Sequence, residues 1–252
     1  MAHSGSSFSG FSLIFDPGFR PDATTIAQHL AKDSDAAKAF TISFTPNPPQ
    51  DWVELLSHGL TFDLTGLAPG EGKALPAITH AYGLTQSITQ AITQGESVTI
   101  APGRHLSGGQ NLLPVVRAMA DIALGLSRLP GLQAICWGAA QTALSPDYFR
   151  RAIGAWLDGG AFPALGLTAL VRDPSGAMLS HGLSFFTGQE LRIDPILARN
   201  PAAAGKIAIR LIHSLVSGWT VQSPEEIAGP EGQRLGVEPS ANGREIRVWQ
   251  AS

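Results

Sequence analysis

Two histidines stand in nearly the same setting. His58 lies in Leu56–Phe62, LSHGLTF, and His181 lies in Leu179–Phe185, LSHGLSF, 123 positions further on. Imidazole binds metals and shuttles protons near neutral pH, so two related histidines in a cleft between two halves would hold a metal or ligand. A second candidate is the run Arg104-His105-Leu106-Ser107-Gly108-Gly109-Gln110-Asn111. It precedes a predicted helix, where free backbone N–H groups, glycines and a cation converge on an anion. His58, His181, Arg104 and His105 are therefore the candidate ligand-binding residues. The bland alternatives weigh more. Strict alternation over Leu56–Thr65 puts His58 on a face with Leu56, Leu60, Phe62 and Leu64, as expected of a core histidine satisfied by backbone or a nearby hydroxyl. The arginine-histidine run likewise reads as an interdomain connector capped by Asn111.

Other chemistries find little support. GLAPGEGKA, Gly66 to Ala74, misses the phosphate-loop spacing by one residue and has Ala74 where Ser or Thr would hold magnesium. No GxSxG elbow and no HExxH helix occurs. Asp173 belongs to a turn and Glu190 reads as a solvated strand residue, neither paired in sequence with a second carboxylate. The single cysteine, Cys136, excludes an internal disulfide framework and a thiolate zinc site. It lies in an apolar strand and reads as a packed thiol. No catalytic residue, metal site or cofactor is implied. A haem-binding tandem sandwich would need an axial histidine over a large apolar cavity.

Composition narrows the partners. Of 252 residues, 44% are hydrophobic and only 15% charged, with a net charge of −3. That charge content is below the roughly 25% of average proteins. It suggests covered surfaces, hence self-association into a homo-oligomer or contact with another protein. Basic residues are scattered, so no nucleic-acid footprint is present. No apolar run approaches the ~20 residues that span a bilayer, and the opening MAHSGSSFSGF lacks a leader pattern. A cytoplasmic protein without a membrane partner is expected.

The elements that must position these residues fall into two similar series. In the first, Phe11–Phe15 and Phe40–Phe44 read as strands, with a helix opening at Pro21-Asp22 between them. The strand Leu56–Thr65, a helical pattern from Ile78 to Ile92 and the strand Ser97–Ile100 follow. A long helix near Leu112–Leu129 links the halves. In the second series Leu132–Trp137 is a strand, and Ser145-Pro146-Asp147 starts a helix with serine as cap and proline at its first position. Leu165–Val171 and Met178–Phe186 flank the turn Asp173-Pro174-Ser175-Gly176. A helix over Ala202–Val216, a strand at Trp219–Val221 and a terminal hairpin of Arg234–Val237 with Ile246–Trp249 complete it.

Pro-Asp opens the first helix of each half at Pro21 and Pro146, in step with the repeated LSHGL. The order predicts an α+β protein of two ferredoxin-like (βαββαβ) halves related by internal duplication. Their expected bounds are 1–103 and 131–252, with 104–130 as linking loop and helix. The second half, through AICWGAAQTALSPDYF (Ala134–Phe149), GLTALV (Gly166–Val171) and GLSFFTGQELRI (Gly182–Ile193), resembles an uncharacterised bacterial family classed as a domain of unknown function. The resemblance implies a fold and carries over no site residue. A non-catalytic binding or protein-interaction module is the leading functional expectation. The alternative is an enzyme, or a small-ligand or metal sensor, with its site between the halves.

Overall fold

The computed structural model describes residues 10–251. Most of the opening stretch read for a leader, residues 1–9, lies outside them. The chain divides into two compact units, 1–160 and 161–252. Both are mixed α+β, each built on its own sheet.

The first unit contains strands β1 (Phe11–Phe15), β2 (Thr41–Phe44), β3 (Trp52–Ser57), β4 (Leu60–Thr65), β5 (His80–Tyr82), β6 (Glu96–Pro102), β7 (Leu132–Trp137) and β8 (Thr142–Leu144). Its helices are α1 (Ala23–Lys32), α2 (Ser34–Ala39), α3 (Gln86–Ala91), α4 (Leu113–Leu126) and α5 (Pro146–Leu157). The sheet order is β2-β3-β4-β6-β1-β7-β8-β5, antiparallel except for the parallel β5–β8 pair. Strand alternation gives the sheet two faces. Phe11, Leu13, Val53, Leu55, Phe62, Leu64, Val98, Ile100, Ile135 and Trp137 are fully or almost fully buried on one face. There α4 packs on β1, β3, β4 and β6 while α5 packs on β7. Phe149 of α5 meets Phe11 edge-on at 5.7 Å. On the opposite face Ile14, Ala134, Cys136 and Ala143 cluster with Ile92, beneath Ile78, Leu84 and Ile88.

The second unit contains β9 (Ala169–Arg172), β10 (Met178–His181), β11 (Glu190–Ile193), β12 (Glu225–Ala228), β13 (Arg234–Pro239) and β14 (Glu245–Gln250). Its helices are α6 (Ala164–Leu167), α7 (Ser184–Thr187), α8 (Pro195–Ala198) and α9 (Pro201–Val216). The sheet order is β12-β13-β14-β11-β10-β9. Strand β14 pairs antiparallel with β13 and parallel with β11. The amphipathic α9 buries Ile207, Ala208, Leu211 and Ile212, and packs on β11.

Several expectations hold. Helix α5 has Ser145 as its cap, accepting from the Tyr148 N–H, with Pro146 in its first turn. The Asp173–Gly176 turn joins β9 to β10 in an antiparallel pair. The expected halves are corrected. Strand β7, expected to open the second half, pairs along the whole of β1, and the expected linking helix α4 packs inside the first unit. Neither unit has the four-stranded βαββαβ arrangement expected of it.

The two signs of duplication also differ in structure. Asp22 caps α1 from outside the helix, whereas Pro146 and Asp147 lie inside α5. The first LSHGL spans a hairpin turn, and the second ends a strand. Three further elements differ from expectation. Ile78–Ile92 is a short strand followed by a short helix, Phe185 and Phe186 belong to α7, and the strand expected at Trp219–Val221 forms instead at Glu225–Ala228.

Candidate functional site

The expected strand Leu56–Thr65 is broken in its middle. His58 and Gly59 have φ of 50° and 78°, the signature of a two-residue type I′ hairpin turn, whose twist matches that of the flanking strands. Ser57 therefore faces Leu60, and the register runs outward through Leu56 with Thr61 and Leu55 with Phe62 to Glu54 with Asp63. Two carboxylates thus oppose each other across β3 and β4, on the sheet face opposite α4. Directly opposed like charges destabilise a strand pair. This pair costs folding energy unless something else uses it.

Around the carboxylates Trp52, Glu54, Thr61, Asp63, Thr65, Gly103, Arg104 and His105 line a concavity of about 500 Å³. Strand β6 delivers the last three. Its end is tied to β4 by the Gly103 N–H, which donates to the Thr61 carbonyl at 3.0 Å. A β-carbon at Gly103 would come within 2.9 Å of that oxygen and of Thr61 Oγ1, so glycine alone permits the approach. A single 3₁₀ turn, Arg104–Leu106, follows and sets His105 Nδ1 3.3 Å from Thr61 Oγ1. Ser43 Oγ donates to Glu54 Oε1 at 2.8 Å. The Trp52 indole donates to Gln50 Oε1 at 3.1 Å and packs 5.6 Å from the Phe44 ring. Partial burial, aided by the Glu54 charge, raises the Asp63 pKa above the ordinary carboxylate value, while Arg104 and His105 pull against the rise.

Of the four sequence candidates, Arg104 and His105 belong to this concavity. His58 does not. Its side chain is 62% exposed at the hairpin tip, with Nε2 3.0 Å from Asp121 Oδ2 of α4. The core position expected for it is corrected, because a residue inside a two-residue turn belongs to neither face of the strand. His58 lines a different hollow with Pro114, Arg117, Ala118, Asp121 and Leu157. Arg117 there donates to the Trp156 and Leu157 carbonyls and covers the Trp156 ring, which ties down the end of α5.

His181 is exposed at the end of β10, in the second unit. The segment after it is organised by Glu190, whose carboxylate accepts from the N–H groups of Gly182, Leu183 and Ser184 and from the Ser180 and Ser184 hydroxyls. Glu190 is therefore a local turn-binding carboxylate rather than a solvated strand residue. Asn111 does not cap α4, whose N-cap is Leu112 with no side-chain bond.

Glu54 and Asp63 escaped the sequence reading. The signal for them is the His-Gly dipeptide itself. Read as a turn, it fixes the register that puts position 54 opposite 63. Among the described residues no three His, Cys, Asp or Glu side chains are grouped as metal ligands would be, and no helix is long and apolar enough to cross a membrane. No protein-family model, no curated protein and no solved structure matches this chain.

Proposed function

We propose that the chain is a non-catalytic binding protein whose small-molecule site is the β3–β4–β6 end of the first unit's sheet. The Glu54–Asp63 pair carries this reading. It is an electrostatic cost to the fold placed on a half-buried face, where a ligand would relieve it. The surroundings fit the role. The hollow has the size of a small-molecule site, and it offers an aromatic wall in Trp52, hydroxyls in Thr61 and Thr65, and cationic capacity in Arg104 and His105.

A thermal-shift screen over amino acids, sugars, nucleosides and polyamines tests the reading, with the E54Q/D63N double variant beside the natural chain. One ligand class should raise the Tm of the natural chain and leave that of the variant unmoved. A screen in which no class moves the Tm, or in which both proteins respond alike, overturns it. The competing reading is an enzyme, favoured by one observation. Two neighbouring carboxylates, one with a raised pKa, are the arrangement that divides acid from base roles. Turnover of the bound compound, abolished in D63N, would establish that reading instead.

A further inference from the structure

The polarity of the hollow, taken together with the binding role proposed above, narrows the ligand further. Glu54 and Asp63 place two acceptor groups on the floor, with their β-carbons about 4.5–5.5 Å apart as in any directly opposed cross-strand pair. An ammonium group has three donors and no acceptor, so it can donate to both carboxylates at once. Trp52 lines the hollow beside the pair, and an indole attracts a cation through its π face. In the 3₁₀ turn that follows β6, Arg104 carries a planar fork suited to a carboxylate, and the His105 ring, held beside Thr61, adds a further nitrogen. Cationic and anionic ligand groups are thus both accommodated within one hollow. Phe44, packed against Trp52, adds exposed apolar surface beside the residues that line the hollow.

We propose that the hollow binds a free α-amino acid with an uncharged side chain, its ammonium on Glu54 and Asp63 and its carboxylate on Arg104 and His105. This inference rests on the binding role and specifies it. A hydrogen bond to a charged group contributes about 1.5–3 kcal/mol, or roughly 10- to 100-fold in affinity. Loss of either ligand charge should therefore cost at least about tenfold.

Isothermal titration with L-leucine and L-phenylalanine, their N-acetyl derivatives and their amides reads both ends separately. The free amino acids should bind, and both kinds of derivative should bind at least about tenfold more weakly. In E54Q/D63N the free acid should fall to the level of its N-acetyl derivative. In R104A it should fall to the level of its amide. Circular dichroism and Tm confirm that each variant is folded. Equal binding of acid and amide, equal binding of acid and N-acetyl derivative, or no binding by either amino acid overturns the inference. If amino acids fail but another class in the thermal-shift screen binds in an E54Q/D63N-sensitive way, only the ligand class falls. If nothing binds, the binding role falls with it.

Discussion

Asp63 carries a cost that can be measured without any ligand. Its folded pKa lies above its unfolded value because of burial and the Glu54 charge. Between those two values the folded chain holds more proton than the unfolded one, so this group's contribution to stability declines as pH rises through the interval. Asp63→Asn should therefore raise the Tm at pH 7, and the gain should shrink as pH drops below the ordinary carboxylate range. Thermal melts of both proteins from pH 3 to 8 check this, and a variant less stable at pH 7 would contradict it. Asp33 behaves in the opposite sense. It accepts from the Asp35 and Ala36 N–H groups as the cap of α2 and pairs with Arg128, just past the end of α4. The Ala36 bond leads the causes that hold its pKa below the usual range. Its contribution is present above the unfolded value and lost as pH falls through the folded one. Asp33→Ala should cost about 1 kcal/mol at neutral pH, as loss of an N-cap does, and less in acid. Cys136 is buried, and burial pushes its thiol up to about 12. A disulfide reagent at pH 8 should leave it untouched until denaturant is added.

The hairpin β3–β4 sets the site, so its turn controls the register of the carboxylates. A β-carbon at Gly59 would meet nothing within 4 Å, so Gly59→Ala acts through the backbone alone. An L-residue in the left-handed region costs roughly 1–2 kcal/mol, and a loss of that order is expected in denaturant melts. His58→Asn should hold the Tm, because asparagine is favoured at the first position of such a turn. The same hairpin shows what sequence reasoning reached. Elements with local causes were readable: the FSLIF strand, the Ser-Pro start of α5, the Asp-Pro-Ser-Gly turn and the apolar face of α9. The alternation expected through LSHGLTFDLT holds only past the turn, where Phe62 and Leu64 are buried; before it Leu55 is buried and Leu56, expected on the apolar face, is exposed. A two-residue reversal shifts the parity of the buried positions, from 53 and 55 before it to 62 and 64 after it. Leucine at both 55 and 56 hides that shift from the apolar pattern, and the positive-φ preference of glycine is the signal that marks the turn. Arg104 and His105 were found because they are neighbours in the chain. Glu54 and Asp63 are neighbours only through pairing.

The units 1–160 and 161–252 differ from the expected halves because strand order is a long-range property. Nothing local in LQAICW says that it will lie beside β1, more than a hundred residues earlier. A fragment of residues 1–160 should fold cooperatively. One ending at residue 130, the expected link, should not, since it lacks β7, β8 and α5 and leaves Phe11 and Leu13 without Trp137 and Ile135. Circular dichroism and urea melts of the two fragments decide between the divisions. The interior position of β14 also bears on how the chain is made. In the second unit β9-β10-β11 and β12-β13 meet only through β14. While the ribosome adds residues 194–244, at ~5–20 residues per second, the inner edge of β11 has no strand to pair with for roughly 3–10 s. An open strand edge is a template for pairing with other chains. The nascent second unit thus carries an edge open to pairing with other chains, and slowing translation after Asp194 should increase its aggregation.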